Sequence, residues 1–416
     1  MPAPPCPAYL SLDVSTRRLS IDPHHRAFID DPYTAYAYLH AHAPVAFWEQ
    51  YGFWCLSTWE DVNRIFRDRR FGRERPGGYM ASVATLDRSR LGDFDAVEAG
   101  SMLELEPPVH TRLRTLVNRA FVSRQVERLR PRIESRAHAL IDAFDADGSV
   151  DLLPAFAVPV PSVVIAKMLG VSPDMAGQLV EWSNRMVAMY MHAPTPATEA
   201  DANGAARDFA AFIRDEAAAR RRAPGDDLLS LLTSAHESGD RLSEAELVSS
   251  AILLLNAGHE ATVHQTGNAV RSILMQGGDP RRFFATPAAT AATVEECLRF
   301  DAPLHMFTRY AYQDIEIADG VRIEAGQQVG LLLGAANRDP TAFERPREFI
   351  PERRDQKNLS FGAGIHFCIG APLARLELQV ALKVLFDRLP GLRLAEEPRY
   401  RDSYHFHGLE RLAVAW

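Results

Sequence analysis

The feature that most constrains the fold is one very long helical segment in the second half of the chain. Ser243-Glu244-Ala245-Glu246 forms a capping box, with the serine as N-cap and Glu246 at N3. The helical pattern ends only at Gly277-Gly278-Asp279-Pro280. About 32 residues with a rise of 1.5 Å each make a helix of roughly 48 Å, which must cross the whole protein. Spacings of i, i+3, i+4 and i+7 place six residues on one face, namely Leu253, Asn256, Ala257, Glu260, Ala261 and His264.

The rest of the chain predicts a mainly α fold with small β-sheets. Strand patterns are few and short. Val45–Trp48 and Phe53–Ser57 predict an early hairpin, and Ile315–Ile323 with Gln328–Leu333 predict a second pair of strands around glycine turns.

Composition and charge exclude some classes of function. The 416 residues carry 46 Lys and Arg against 54 Asp and Glu, and this net charge of −8 argues against a nucleic-acid partner. No internal repeat or linker is visible, so we expect a single domain over residues 1–416, with residues 1–20 as a flexible N-terminal segment. No apolar run is long enough for a signal or membrane anchor.

Cysteine usage points to a reducing compartment. Cys6, Cys55, Cys297 and Cys368 lie far apart and form no C-x-x-C pair, which disfavours a zinc or iron–sulfur site. So few cysteines in a long chain are typical of the cytoplasm. We therefore expect a cytoplasmic protein without a membrane anchor, and a monomer.

One of these cysteines lies in an unusual loop, Phe361-Gly362-Ala363-Gly364-Ile365-His366-Phe367-Cys368-Ile369-Gly370. A predicted helix follows, from about Ile369 to Leu389, and a helix N-terminus favours the thiolate of Cys368. Gly364 and Gly370 remove side chains where a flat group must come close. Phe361 and Phe367 supply apolar cover. We interpret the loop as holding one thiolate against a haem iron; the alternative is a buried cysteine in an ordinary β-to-α turn.

This loop resembles the haem-binding signature of the cytochrome P450 family, Phe-x-x-Gly-x-(His/Arg)-x-Cys-x-Gly. The resemblance implies a cytochrome P450 fold, a helix-rich triangular prism with haem b between a long distal helix and the Cys loop. It also implies that Cys368 is the axial ligand of the iron and that His366 approaches a haem propionate. The missing anchor points to the bacterial type within this family.

Other segments resemble further motifs of the same family, in the same order along the chain. His110 and Arg114 match a His-x-x-x-Arg pair that contacts the propionates, and Arg309 matches another propionate ligand. Glu296 and Arg299 match a Glu-x-x-Arg motif, and Arg353 ends a segment that matches Phe-x-x-Pro-x-x-Phe-x-x-x-Arg. The resemblance implies that these three residues form a structural charge triad behind the haem.

The long helix departs from the family pattern at its centre, Ala257-Gly258-His259-Glu260-Ala261-Thr262. We predict catalytic roles for Glu260, Ala261 and Thr262, with Glu260 as a proton shuttle; alternatively, Glu260 is structural and bonded to a neighbour such as His264. The small residues at 257 and 258 leave space for a diatomic ligand. The family usually has a threonine at position 261, which assists proton delivery. Ordered water, a substrate hydroxyl, chemistry that needs the hydroxyl less, or a local bulge that turns Thr262 inward would each explain the alanine.

The resemblance implies a haem-thiolate monooxygenase that inserts one oxygen atom from O2 into an apolar or moderately polar substrate. Electrons would come from a ferredoxin or flavodoxin-type donor with an NAD(P)H-dependent reductase. Seven arginines and one acid, Glu127, between Arg112 and Arg132 suggest a docking face, with Arg375 and Lys383 as additions; the alternative is a solvated helix. The predicted substrate pocket consists of Leu253, Asn256, Ala257, Leu304, Met306, Phe307 and Phe406.

Two other functions remain open. A peroxygenase driven by hydrogen peroxide usually has a guanidinium on the distal helix, and no Arg lies within Leu253–His264, which counts against it. A haem sensor or carrier without turnover is disfavoured, less strongly, by Glu260 on the long helix.

Overall fold

The structure is a computed structural model that describes residues 4–80, 88–118, 121–144, 148–234 and 242–416. Helices dominate these residues. The α-helices are Arg26–Asp30, Pro32–His42, Trp59–Arg67, Gly92–Ala99, Val109–Asn118, Ser123–Glu127, Arg130–Asp142, Pro159–Leu169, Ala176–Val187, Pro196–Arg222, Leu228–Ser234, Glu244–Leu274, Pro287–Phe300, Leu333–Ala336 and Ala371–Arg388. Shorter 3-10 or π turns are Leu153–Ala157, Pro173–Met175, Ala188–Tyr190, Pro280–Phe284 and Gly364–His366.

The strands are short and form three small sheets. They are β1 (Leu10–Asp13), β2 (Arg18–Ile21), β3 (Val45–Trp48), β4 (Phe53–Leu56), β5 (Phe71–Gly72), β6 (Ser149–Asp151), β7 (Met306–Ala311), β8 (Ile315–Ala318), β9 (Val321–Ile323), β10 (Gln328–Leu332), β11 (Arg393–Leu394) and β12 (Ala413–Ala415). The largest sheet has the order β1-β2-β3-β4-β10-β7-β5, and the smaller ones are β11-β12-β6 and β8-β9. The predicted fold class, mainly α with small β-sheets, is confirmed.

The long helix, Glu244–Leu274, is the centre of the helical part. Its capping box is present, because the Ser243 hydroxyl accepts from the Glu246 N–H and the Glu246 carboxylate accepts from the Ser243 N–H. It packs against several other helices, among them Gly92–Ala99, Pro159–Leu169, Ala176–Val187, Pro196–Arg222, Pro287–Phe300 and Ala371–Arg388. A helix surrounded in this way has no face left for solvent over most of its length, so even its polar residues are buried.

Two expectations about the strands need correction. Residues 1–20 do not form a flexible segment as a whole, because β1 and β2 pair with each other and join the largest sheet, and Leu19 is fully buried there. The second pair of strands is also different. Gly320, with φ of 70°, turns the chain within Ile315–Ile323, so β8 pairs with β9, whereas β10 lies between β4 and β7. Val45–Trp48 and Phe53–Leu56 do form the expected hairpin.

None of the helices in the described residues is both long enough and apolar enough to span a bilayer.

Candidate active site

A cavity of about 630 Å³ lies between the middle of the long helix and the Cys loop, here defined as Phe361–Gly370. This volume is within the usual range for small-molecule sites. All four cysteines are in the described part of the chain, and among them Cys368 alone borders the cavity. The seven residues predicted to form the substrate pocket all line it, namely Leu253, Asn256, Ala257, Leu304, Met306, Phe307 and Phe406.

The Cys loop is held in place by its backbone. Cys368 N–H donates to the Phe361 carbonyl over 3.0 Å, and the helix Ala371–Arg388 begins three residues after the cysteine. Gly364 has φ of 73°, and a Cβ there would collide with the carbonyl oxygen of Phe66. Gly364 therefore allows close packing on the helix Trp59–Arg67, and not the approach of a flat ligand, because it does not border the cavity. Gly370, Phe361 and Phe367 do border it.

The protonation state of Cys368 is set by opposing effects. Burial raises the pKa of its thiol, while the N–H groups of Gly370 and Ala371 and the charge of Arg114 lower it. The net direction is upward, so the helix N-terminus does not by itself produce the expected thiolate. A coordinated metal ion deprotonates a thiol outright, so the thiolate form depends on a bound cation.

The four predicted propionate ligands lie together at the cavity wall and form one cluster of hydrogen-bond donors. His110 and His366 have ring centroids 4.3 Å apart, and Arg114 and Arg309 border the same cavity. Arg114 donates to the Phe367 carbonyl over 2.5 Å, and Arg309 to the Thr308 carbonyl over 2.9 Å. His366 Nε2 lies 2.9 Å from a carboxylate oxygen of Glu106, which also accepts the Arg73 N–H.

This cluster fits a ligand with carboxylate groups. Both ring nitrogens of His110 are buried without a hydrogen-bond partner, and a buried polar atom without a partner is costly. Burial, and then the neighbouring His366 and Arg114, lower the pKa of His110 to about 4, while burial and then Arg73 lower the pKa of Arg309 to about 9. Added carboxylates would supply the missing acceptors and reverse the charge imbalance. The residues present therefore fit a haem with its two propionates.

On the long helix, Glu260 borders the cavity and is bonded along its own helix. His264 Nε2 lies 3.0 Å from Glu260 Oε1, and His259 Nε2 lies 3.5 Å from Glu260 Oε2. Burial alone would raise the pKa of Glu260, but the hydrogen bond from His264 and the nearby histidines outweigh it and lower the pKa to about 2. Glu260 is therefore ionised at neutral pH.

The neighbours of Glu260 leave the centre of the helix without a free hydroxyl. Ala261 borders the cavity, and the Thr262 hydroxyl donates to the Gly258 carbonyl over 3.4 Å. The helix is an unbroken α-helix through this region, so the bulge considered for Thr262 is absent from Glu244–Leu274. A Cβ at Gly258 would press on Ile165, so this glycine serves the packing of the helix Pro159–Leu169.

The three residues of the predicted charge triad meet in a buried cluster away from the cavity. Arg299 donates twice to the Glu296 carboxylate, over 2.7 Å each, and Arg353 Nε donates to it over 3.1 Å. Arg299 also donates to the carbonyls of Asn337, Pro346 and Glu348 over 3.0 Å. Its guanidinium therefore joins the helix Pro287–Phe300 to the segment that precedes the Cys loop.

Several cations of the predicted docking face form ion pairs within the protein. Arg119 lies outside the described residues. Four other cations are paired, namely Arg112 with Glu246, Arg130 with Glu127, Arg375 with Glu295 and Lys383 with Asp387. Within the described part of the predicted docking face, the exposed arginines without such a pair are Arg124, Arg128 and Arg132.

Sequence reasoning missed several polar residues at the cavity. Gln265 borders it with both amide atoms unpartnered, and it follows Ala261 by one turn of the helix. Helical spacing was the signal that could have found it. Arg73 forms a buried ion pair with Glu104, and Glu98 accepts from the Tyr190 hydroxyl over 3.1 Å. No local motif marks these residues, because tertiary packing brings them together.

Comparison with known proteins gives the class. The family model described as Cytochrome P450 matches residues 288–390, which contain the charge triad and the Cys loop. Cytochrome P450 107B1 of Saccharopolyspora erythraea is 39% identical over 372 residues, covering 87% of this chain and 88% of that protein. The 6-deoxyerythronolide B hydroxylase of the same organism is 37% identical, and the matched part covers 93% of this chain and 96% of that protein. A crystal structure of P450BioI, in complex with an acyl carrier protein that carries hexadec-9Z-enoic acid, has a TM-score of 0.86 and 35% identity. The match covers 94% of this chain and 100% of that one.

The fold, the cavity and these likenesses define a haem-dependent oxidoreductase similar to bacterial hydroxylases. The chain belongs to the cytochrome P450 family. It is a monooxygenase that inserts one oxygen atom from O2 into an organic substrate with electrons from a separate redox partner.

Proposed function

We propose that the protein binds haem b and that Cys368 would supply the thiolate ligand of its iron. The observation that carries this proposal is the pairing, at one cavity, of a single cysteine with His110, whose two ring nitrogens have no partner. His110, Arg114, Arg309 and His366 would hold the propionates, Phe361 and Gly370 would border the bound haem, and Gly364 shapes the loop. The bound haem supplies oxygen activation, which the thiolate ligand assists.

The proton route runs along the long helix. Glu260 is ionised and borders the cavity, so it can take up a proton and release it there. Ala261 has no hydroxyl, and the Thr262 hydroxyl is engaged with the Gly258 carbonyl. Ordered water or a substrate hydroxyl therefore fills the space beside Ala261 and carries the proton onward.

The substrate is an apolar or moderately polar organic molecule. Leu253, Met306 and Phe307 supply apolar contacts in the cavity. Among the seven predicted pocket residues Asn256 is the polar one, and its Oδ1 is buried without a partner, so it accepts a hydrogen bond from a substrate hydroxyl or amine. The 6-deoxyerythronolide B and the hexadec-9Z-enoic acid named for similar proteins are organic molecules of this general type.

The electron donor is a ferredoxin or flavodoxin-type protein with an NAD(P)H-dependent reductase. Its docking surface is centred on the exposed edge of the Cys loop, where Ile365 is 41% and Phe367 39% exposed. Arg124, Arg128 and Arg132 are the exposed cations that an acidic donor would contact. We place the enzyme in the cytoplasm, where its four free cysteines stay reduced.

The reaction class is tested with 7-ethoxycoumarin as probe substrate. We expect dealkylated product only when oxygen, a ferredoxin, its reductase and NADPH are all present. A spectral titration with the same compound should show displacement of the water ligand of the iron. Equal rates with hydrogen peroxide alone would identify a peroxygenase, and spectral binding without product under either condition would identify a carrier or sensor.

Ala261→Thr is expected to change the fraction of NADPH electrons recovered in product. With probes that lack a hydroxyl the fraction should rise severalfold, because the new hydroxyl supplies the missing hydrogen-bond donor. Ala261→Val is the matched control, since valine has the shape of threonine without the hydroxyl. Equal coupling in the threonine and valine variants would show that position 261 does not decide proton delivery.

A further inference from the structure

Glu260 has a second buried titratable group directly behind it. His264 is one turn further along the long helix, and its Nε2 lies 3.0 Å from Glu260 Oε1. Glu260 borders the cavity, whereas His264 is not among the residues that line it. The His264 side chain is only 4% exposed. The carboxylate therefore lies between the cavity and the imidazole.

The C-terminal segment is shaped to accept this imidazole. Gly408 packs directly against the His264 ring, and a Cβ at position 408 would overlap with Nδ1. The Phe406 ring lies 6.0 Å from the His264 ring, centroid to centroid. These contacts hold the ring in one orientation, with Nε2 toward Glu260, and an imidazole fixed in this way is pre-organised for proton transfer.

The other histidine beside Glu260 is not a suitable proton donor. His259 Nδ1 lies 3.2 Å from the Leu255 carbonyl, which only accepts hydrogen bonds, so the ring proton is on Nδ1 and a neutral His259 presents a bare Nε2 to Glu260. Burial lowers the pKa of His259, which keeps it neutral. From the C-terminal segment, Arg401 adds positive charge near Glu260. His407, next to Gly408, faces Asp301 at 3.3 Å instead.

We propose that His264 is a positioning residue that holds Glu260 toward the cavity and returns a proton to it after each transfer. This inference rests on the proposed role of Glu260 in proton delivery. In the step, the Nε2–H bond of protonated His264 breaks and an O–H bond forms at Glu260 Oε1. The electron pair of the broken bond stays on the imidazole, which becomes neutral and regains a proton from water.

The experiment measures product and hydrogen peroxide formed per NADPH consumed, with 7-ethoxycoumarin as the probe, between about pH 5.5 and 8.5, the range in which histidine titrates. The holoenzyme variants are His264→Gln, His264→Asn and Glu260→Gln. Glutamine retains a hydrogen-bond donor toward Glu260 but does not titrate. His40→Gln is the matched control, because His40 contacts the Ser57 carbonyl away from the cavity. Spectra of the reduced carbon monoxide complex verify folding and thiolate ligation in each variant.

In the wild type and in His40→Gln, we expect coupling, the product formed per NADPH consumed, to be highest at the acid end of this pH range and to fall as the pH rises. In His264→Gln and His264→Asn, coupling at the acid end should be roughly tenfold to hundredfold lower and independent of pH, with peroxide released instead. Two outcomes overturn the proposal when Glu260→Gln is impaired. In the first, the His264 variants keep the wild-type level of coupling. In the second, their coupling is lower but keeps the wild-type pH dependence. Wild-type coupling in Glu260→Gln overturns the proposed proton route itself.

Discussion

Cys368→Ser protein is expected to lose the spectrum of a thiolate-ligated haem and to form product at least about 10³-fold more slowly. The physical reason is that the substitution removes the sulfur ligand that assists oxygen activation, and loss of a group acting on the reacting atoms has effects of this size. The position of the Soret band in the reduced carbon monoxide complex reports ligation. Product formation with ferredoxin, reductase and NADPH reports activity.

The matched control for this variant is Cys6→Ser, because Cys6 is a free, exposed cysteine that does not border the cavity. It should keep both the spectrum and the rate. A thiolate spectrum that persists in Cys368→Ser would contradict the assignment. It would then have to come from Cys55 or Cys297, which are buried and do not border the cavity.

Arg299→Met is expected to lower the free energy of unfolding by about 3–5 kcal/mol, the cost of breaking a buried ion pair. The variant leaves Glu296 with only Arg353 as a charged partner, and three backbone carbonyls lose their guanidinium donor. Urea-induced unfolding of the holoprotein, followed by circular dichroism, measures this change. Haem should also dissociate at lower urea concentration, because the segment before the Cys loop loses an anchor.

Arg130→Met is the control, since Arg130 and Glu127 have the same i, i+3 spacing in an exposed pair. Its cost should be about 1 kcal/mol or less. The contrast isolates burial as the cause, because chemistry and spacing are shared. Similar losses in the two variants would mean that the buried cluster does not brace the fold.

The parts of this fold that the sequence predicts are those with local signals. The long helix begins at its own capping box and ends at its own glycines. The sequence therefore predicts both of its ends to within a few residues of the observed ones. The Cys loop, the charge triad and the histidine at position 110 are recognisable by residue spacing. The positions of these residues relative to the cavity are predicted by the family resemblance and not by local sequence signals.

Contacts between distant segments could not be predicted in this way. The packing of Gly364 on Phe66 and the bond between His366 and Glu106 join residues that are hundreds of positions apart. The placement of β10 between β4 and β7 has the same origin. Helical spacing predicts the contact between Glu260 and His264. It does not predict that Gly408, which is 144 positions further along the chain, packs against the imidazole.

The cavity wall has a consequence for how the enzyme is made in the cell. Its lining begins at Tyr51 and ends at Phe406, so the chain must leave the ribosome as far as Phe406 before the wall is complete. At about 5–20 residues per second, roughly 20 to 70 seconds separate the synthesis of these two ends. Cys368 is made shortly before Phe406. A haem that contacts both early and late parts of this lining is therefore inserted only after Phe406 has been made.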